Sequence, residues 1–275
     1  MQRTGRYSLE YGLIASVMLI TVLGFWNIYF GPGAEAQPHH HLHLAVVFIW
    51  LGLLLAQLTL IARGSWRTHR KVGLAVLAAG PLLVATTAML SVHSAHKGLV
   101  SGEGDFLIVQ NVMGTLEVAL LIVLAFLLKA RRQLHGALLL STSIIFMGIA
   151  LFFVLIGFVP QFRIEGPETF YRFQTAAITG QSICAAVGLL FFLRDRRNGW
   201  PFLAAGCCFF LNEAIRSSLT SAGLIDPLTE LVGSMSKPLT FVGAFAVMLA
   251  LLAATALPAG RRVRKIVNSG QTMVS

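Results

Sequence analysis

The sequence predicts an all-α protein, a polytopic integral membrane bundle of about eight transmembrane helices. Of its 275 residues, 56% are hydrophobic and 12% are charged, whereas an average soluble domain has about 25% charged residues. The apolar residues form about eight stretches, each near the roughly 20 residues with which a helix crosses a bilayer. These stretches and their connections use almost the whole chain, so we expect a single membrane domain over residues 1–275.

The first predicted span covers residues 11–30 and follows two arginines, Arg3 and Arg6. It is too long for the apolar core of a signal peptide, so we expect it to be retained. The other seven predicted spans cover residues 41–62, 72–94, 106–128, 134–159, 170–193, 201–222 and 238–257.

The connections between these spans alternate in charge. Basic residues occupy 63–71, 129–132, 194–197 and the tail at 261–265, whereas acidic residues occupy the connections that contain Glu35, Glu103, Glu165 and Asp226. Because lysine and arginine concentrate on the cytoplasmic side, both termini are predicted to be cytoplasmic in a bacterial inner membrane. The formal net charge of +10 therefore reflects topology, and it indicates the lipid bilayer and not nucleic acid as the partner.

A weak internal repeat marks the starts of three outward-going helices. Related segments at Arg67–Gly73, Arg132–Gly136 and Arg197–Pro201 are spaced by about 66 residues. This spacing predicts three helix-pair units within residues 41–260, with the first span outside the repeat.

Histidines mark the outer ends of the second and third predicted spans. His39 and His43 share one helix face, as do His93 and His96, and consecutive helices are usually neighbours. Four imidazoles are then expected to converge at the outer surface, where they suit zinc, copper, iron or nickel. The alternative is that these histidines are solvated interfacial residues without a ligand.

Histidine depth also resembles that of transmembrane di-haem cytochromes b. That resemblance implies an outer b-type haem between His43 and His93 and an inner one between His69 and His135. His69 and His93 are 24 residues apart, which is about 36 Å along a helix at 1.5 Å per residue. This distance favours one haem, or none, over an efficient two-haem path.

A second resemblance is to a group of uncharacterised bacterial multi-pass membrane proteins with a His-Arg-x-x-Gly helix start. It is carried by His43–Trp50, Gln57–Gly64 and His69–Gly73, with His135 at a later helix start. The group's third such position appears here as Gly199–Pro201, without the histidine. The resemblance implies fold and topology but no activity. The alternative for His69 and His135 is a structural role in the first turn of a helix.

Several polar residues fall inside the predicted spans, where they are costly and often functional. They are Glu117 and Asn111 in the fourth span and Glu213 and Arg216 in the seventh. Glu213 and Arg216 are three residues apart and are expected to neutralise one another, whereas Glu117 needs a partner across the bundle, for which Arg216 is a candidate. These residues predict either a structural clamp between helices or a polar cavity for a proton, a quinone headgroup or a small substrate.

Three functions follow as hypotheses. The first is a redox protein that exchanges electrons between a membrane partner such as quinol and a haem b or transition-metal site at His43 and His93, with His39 and His96 as alternates. The second is a carrier or channel with a polar path, and the third is a metal-dependent enzyme acting on a lipid, with Glu103 or Asp105 as base. ATP-binding and serine-hydrolase motifs are missing from the sequence.

Overall fold

The computed structural model describes residues 7–256, and over these residues the chain is helical, with no strand. Short π and 3₁₀ turns interrupt the connections at Trp26–Phe30, Pro160–Phe162 and Pro167–Thr169. The α-helices of this part are α1 (Ser8–Gly24), α2 (Pro38–Ala62), α3 (Trp66–Gly73), α4 (Val76–Ser101), α5 (Ile108–Leu127), α6 (Arg132–Phe158), α7 (Tyr171–Arg194), α8 (Trp200–Ser221), α9 (Ile225–Gly233) and α10 (Lys237–Ala256).

Six helical segments of the described chain are long and apolar enough to cross a membrane. They are Pro38–Ala62, Trp66–Ser101, Ile108–Leu127, Arg132–Phe158, Pro167–Arg194 and Lys237–Thr255. Helix α1 is apolar but has 17 residues, and α8 has 22 residues but carries Asn212, Glu213 and Arg216. The fold is therefore that of a helical bundle compatible with a multi-pass membrane protein. The count of eight spans and the cytoplasmic termini remain predictions.

Some helix ends differ from those expected from the sequence. Helix α4 continues to Ser101 and not to residue 94, because small and long-chain residues prolong it until Gly102 takes a left-handed conformation with φ 73° and bonds back to Leu99. Helix α1 ends at Gly24, since a π turn follows it. The short helix α9 in the connection before α10 was not predicted.

Helix α6 lies at the centre of the bundle, where it packs against α1, α5, α7 and α8. Around α4 a second group of contacts forms with α2, α5, α9 and α10. The fully buried Trp50 of α2 joins the two groups, because its indole N–H donates to Thr142 of α6 at 2.9 Å. Because a membrane interior has no water to satisfy polar groups, such groups must form hydrogen bonds within the protein.

Small residues allow α7 and α8 to approach one another closely. A Cβ at Gly188 would lie 2.4 Å from the carbonyl oxygen of Phe202, and one at Gly206 would lie 2.5 Å from that of Cys184. No larger side chain fits at either position without a shift of backbone. Close packing of glycines is the usual way in which membrane helices associate.

Polar contacts group the basic connections at one end of the bundle. Arg194 at the end of α7 pairs with Glu10 in the first turn of α1 at 3.1 Å. Lys129 donates to the carbonyl oxygen of Thr255 near the end of α10 at 2.9 Å. Asn198 also donates from Nδ2 to Gln133 Oε1 at 3.0 Å, which joins the connection after α7 to the start of α6. Both ends of the described chain therefore lie at the same end of the bundle as these basic residues, which we call the basic end.

Candidate metal site and polar residues of the bundle

The first turn of α2 positions two histidines at the end of the bundle opposite the basic end. Pro38 is the first helical residue, where its fixed φ suits a helix start, and Gln37 is the N-cap. The backbone N–H of Gln37 donates to Nδ1 of His40 at 3.0 Å. This capping contact holds the His40 ring against the start of the helix, and His39 lies beside it with ring centroids 4.2 Å apart.

Helix α4 adds a third histidine to this pair. The ring of His93 lies 4.1 Å from that of His39 and 5.3 Å from that of His40, measured between centroids. Each of the three residues offers one nitrogen, and these nitrogens lie within 4.8 Å of one another. We call His39, His40 and His93 the histidine triad. All three are partly buried, so a ligand held there is partly shielded from solvent.

An unpaired nitrogen and a nearby lysine determine the chemistry of the triad. Nε2 of His39 is buried and has no hydrogen-bond partner among the described residues. Lys237, the first residue of α10, donates from Nζ to Nδ1 of His93 at 2.9 Å. Lys237 therefore packs against the triad. Imidazole nitrogens without protons are ligands for first-row transition metals, so an ion bound through Nδ1 of His40 or His93 would displace the N–H of Gln37 or the ammonium group of Lys237. The ammonium group also opposes a nearby cation.

The structure brings only part of the predicted outer histidine set together. His39 and His93 meet as expected, but Nδ1 of His43 pairs with Thr86 Oγ1 at 3.2 Å and His96 is exposed. The third histidine of the cluster is His40, and not His43 or His96. The sequence signal for His40 was its position three residues after the N-cap Gln37, where a side chain can reach back to the backbone.

The predicted catalytic carboxylates are not in the triad. Oδ1 of Asp105 accepts the backbone N–H of Leu107 at 2.9 Å and so supports the start of α5. Glu103 is exposed. Within the described residues, the candidate metal group consists of histidines alone.

The histidines at the basic end have structural contacts. The Gln57 amide of α2 is oriented so that its nitrogen faces His69 and its oxygen faces Gly73. The amide nitrogen donates to the carbonyl oxygen of His69 at 3.1 Å and to Nδ1 of the same residue, and the amide oxygen accepts the N–H of Gly73 at 2.7 Å. Nδ1 of His135 contacts the carbonyl oxygen of Ala125 at 2.8 Å. These contacts join α2 to α3 and α5 to α6, in keeping with the structural alternative for both residues.

The polar residues of α5 and α8 form two separate groups. Glu213 and Arg216 are paired on α8, with Nε of the arginine 2.9 Å from the carboxylate. Glu117 is buried beside Asn212 and Cys208 of α8, and its oxygens make no hydrogen bond of ordinary geometry. Arg216 is therefore not the partner of Glu117.

Asn111 lies on α5, about 1.7 turns before Glu117, and is partly buried. Its backbone carbonyl oxygen accepts the hydroxyl of Thr115 at 2.8 Å, a local bond within the helix. Asn111 therefore lies on the same helix as Glu117 but forms no hydrogen bond with Glu117.

The histidine triad brings three imidazole nitrogens together, and Glu117 of α5 lies buried beside Asn212 of α8. Comparison of the chain with protein-family models, with curated proteins and with solved structures finds no match.

Proposed function

We propose that this chain is a multi-pass inner-membrane protein that binds one first-row transition-metal ion through His39, His40 and His93. The observation that carries the proposal is the approach of three imidazole nitrogens from two helices to within 4.8 Å of one another. Three histidines with an open fourth position are a common donor set for zinc, and imidazole also suits copper, iron and nickel. The buried Nε2 of His39, which has no hydrogen-bond partner in the described chain, supports this fit.

A small ion fits this group better than a haem does. The rings of His39 and His93 pack directly on one another with centroids 4.1 Å apart, so no porphyrin plane fits between them. The haem pair expected from the sequence would use His93 together with His43, but the ring of His93 packs against His39 instead. We therefore prefer an ion at the triad to a b-type haem between His43 and His93.

The donor set supports electron transfer or ligand binding more than hydrolysis of a lipid. An ion held by three imidazoles supplies either a redox centre or a Lewis acid with an open position. Hydrolysis also needs a base near the ion, and no carboxylate joins the triad within the described residues. We rank a redox role above the lipid-directed enzyme for this reason.

Metal titration of the purified protein tests the proposal. The detergent-solubilised protein is titrated with Zn²⁺, Co²⁺ and Cu²⁺ and its metal content is measured. We expect one equivalent of at least one of these metals. His39→Ala and His93→Ala should each weaken binding by at least about tenfold, because each removes one ligand. His96→Ala is the matched control, since His96 lies on the same helix as His93 and is exposed.

Three results would overturn the proposal. One is the lack of any stoichiometric metal in the wild-type protein. Another is unchanged affinity in the double variant of His39 and His93. The third is a Soret band that disappears in His43→Ala, because that spectrum would indicate haem. A colourless and metal-free protein would favour the carrier hypothesis.

A further inference from the structure

A second site lies between α5, α6, α7 and α8, away from the histidine triad. It is a cavity of about 310 Å³ with a largely apolar wall that includes six aromatic side chains. That volume is at the lower end of the range of about 300–1,000 Å³ that is usual for small-molecule sites. We call it the aromatic cavity.

Phenylalanines form the wall and the mouth of the aromatic cavity. Phe170 and Phe173 are stacked at 14° with centroids 5.9 Å apart, and Phe106 lies 5.7 Å from Phe170. Phe106 and Phe170 are 58% and 48% exposed, so they mark the mouth. Because these rings belong to a bundle of membrane-spanning character, an apolar tail attached to a ligand can leave through this mouth into lipid.

Two glutamines supply buried polar atoms at the same site. Both Gln110 and Gln181 line the cavity. Gln181 is only 7% exposed, and the Oε1 atoms of both residues are buried with no hydrogen-bond partner among the described residues. Burial of an unpaired acceptor is unfavourable, so a ligand that donates to these oxygens is favoured.

The charged residues of the cavity neutralise one another. Glu213 and Arg216 both line it and form an ion pair through Nε and NH2 of the arginine. The site therefore carries no net charge from this pair. A neutral ring with hydrogen-bonding oxygens suits such a lining better than a phosphate or an ammonium group does.

We propose that the aromatic cavity binds the headgroup of a membrane quinone or quinol. The planar ring stacks on Phe170 and Phe173, because offset and edge-to-face aromatic contacts are favourable beyond the apolar area that they bury. A quinol hydroxyl donates to a glutamine Oε1, and a quinone carbonyl accepts from a glutamine amide N–H after the amide turns over. The glutamines Gln110 and Gln181 thus suit both forms of the ring. This proposal does not depend on the metal site.

Photolabelling of the full-length protein in nanodiscs tests this site. The probe is a short-chain benzoquinone that carries an azido group, and the labelled peptides are identified by mass spectrometry. We expect saturable labelling in α5 and α7, with competition by decylubiquinone. Gln181→Leu should weaken binding by about tenfold, since one hydrogen bond to the headgroup is lost. Gln161→Leu is the matched control, because Gln161 is exposed and does not line the cavity.

A second variant separates a loss of quinone binding from a loss of folding. Phe106→Ala changes an exposed residue of the mouth and should also weaken labelling without loss of a monodisperse protein. Equal competition by decanol would show a lipid groove and would overturn the proposal, as would labelling that is unsaturable or unchanged in both variants. His93→Ala should keep quinone binding, so that failure here is distinguishable from failure of the metal proposal.

Discussion

At the scale of single residues, buried hydrogen bonds between helices specify how α2 meets α6. The Trp50 side chain is fully buried, and its Nε1 donates to Thr142 Oγ1 at 2.9 Å. No water is present in a membrane interior to replace this bond. The neighbouring Ser143 is also fully buried, but its hydroxyl has no hydrogen-bond partner among the described residues.

Loss of the Trp50–Thr142 bond should therefore destabilise the protein. We expect Thr142→Val to lower the free energy of unfolding by about 0.6 kcal/mol and by no more than about 1.7 kcal/mol, the average and the maximum for such bonds between membrane helices. The measurement is unfolding of the protein in mixed detergent micelles. Ser143→Ala, which removes a hydroxyl without a partner, should be neutral or slightly stabilising. Equal destabilisation by the two changes would contradict this assignment.

Lys237 is expected to oppose metal binding at the histidine triad. Its Nζ lies 2.9 Å from Nδ1 of His93, so the ammonium group repels a dication bound nearby. Lys237→Met should tighten metal binding by about tenfold or more, as measured by competition with a chelating dye. Lys97→Met removes the same charge from an exposed side chain and should change affinity by less than about twofold. Weaker binding in Lys237→Met would show that the lysine supports the ion.

Sequence reasoning predicted those residue contacts that depend on spacing within one helix. The Glu213–Arg216 pair follows from a separation of three residues. The neighbours of Glu117 and the contact between Lys237 and His93 join different helices. Nothing in the spacing along the chain shows that α10 packs against α4, so these contacts required the three-dimensional structure.

At the scale of helices, α7 and α8 depend on glycine at their crossing. A Cβ at Gly206 would meet the carbonyl oxygen of Cys184 at 2.5 Å, and this oxygen belongs to backbone that cannot move away locally. Gly243 of α10 has no neighbour within 4 Å of its Cβ position in the described chain. These two helical glycines form a matched pair for a test of packing.

We expect Gly206→Val to destabilise the protein by about 1–3 kcal/mol, because the added side chain separates the two helices. Gly243→Val should cost less than about 1 kcal/mol, since open space surrounds it and only helix propensity changes. Thermal unfolding followed by circular dichroism measures both. If Gly243→Val were the more damaging change, the described α7–α8 crossing would be wrong.

Most helix positions could be predicted from apolar length, but several helix ends could not. The stretch at 134–159 became α6 almost unchanged because basic residues and Pro160 bound it on the two sides. The end of α4 was placed too early, since His96 and Lys97 are polar but still compatible with helix. Helix α9 was missed because its nine residues are too few for a span and it packs in a connection.

At the scale of the whole molecule, the charge pattern predicts orientation. The contacts of Glu10 with Arg194 and of Lys129 with Thr255 bring both ends of the described chain to the basic end. This grouping agrees with the positive-inside bias and an even number of crossings. Six apolar segments meet the length and composition of a span, and α1 and α8 would make eight. The polar residues of α8 could be identified from the sequence, but the 17-residue length of α1 could not.

Cysteine accessibility tests the predicted orientation. In a background where Cys207 is serine, Glu165→Cys should react with a membrane-impermeant maleimide added to cells with a permeabilised outer membrane. Arg131→Cys should react only after the inner membrane is opened. Both side chains are exposed, so access to the reagent depends on the membrane and not on burial within the bundle. The reverse pattern would place the basic end outside the cell.

X-ray absorption at the metal edge tests the central claim most directly, because it counts the ligands of the bound ion. The zinc- or copper-loaded protein should show nitrogen ligands at about 2.0–2.1 Å, with outer-shell scattering from three imidazoles. His93→Ala should reduce that number to two or abolish loading, while His96→Ala should leave it at three. A spectrum with sulfur ligands, with the four pyrroles of a haem, or with fewer than two imidazoles in the unsubstituted protein would contradict a metal site at His39, His40 and His93.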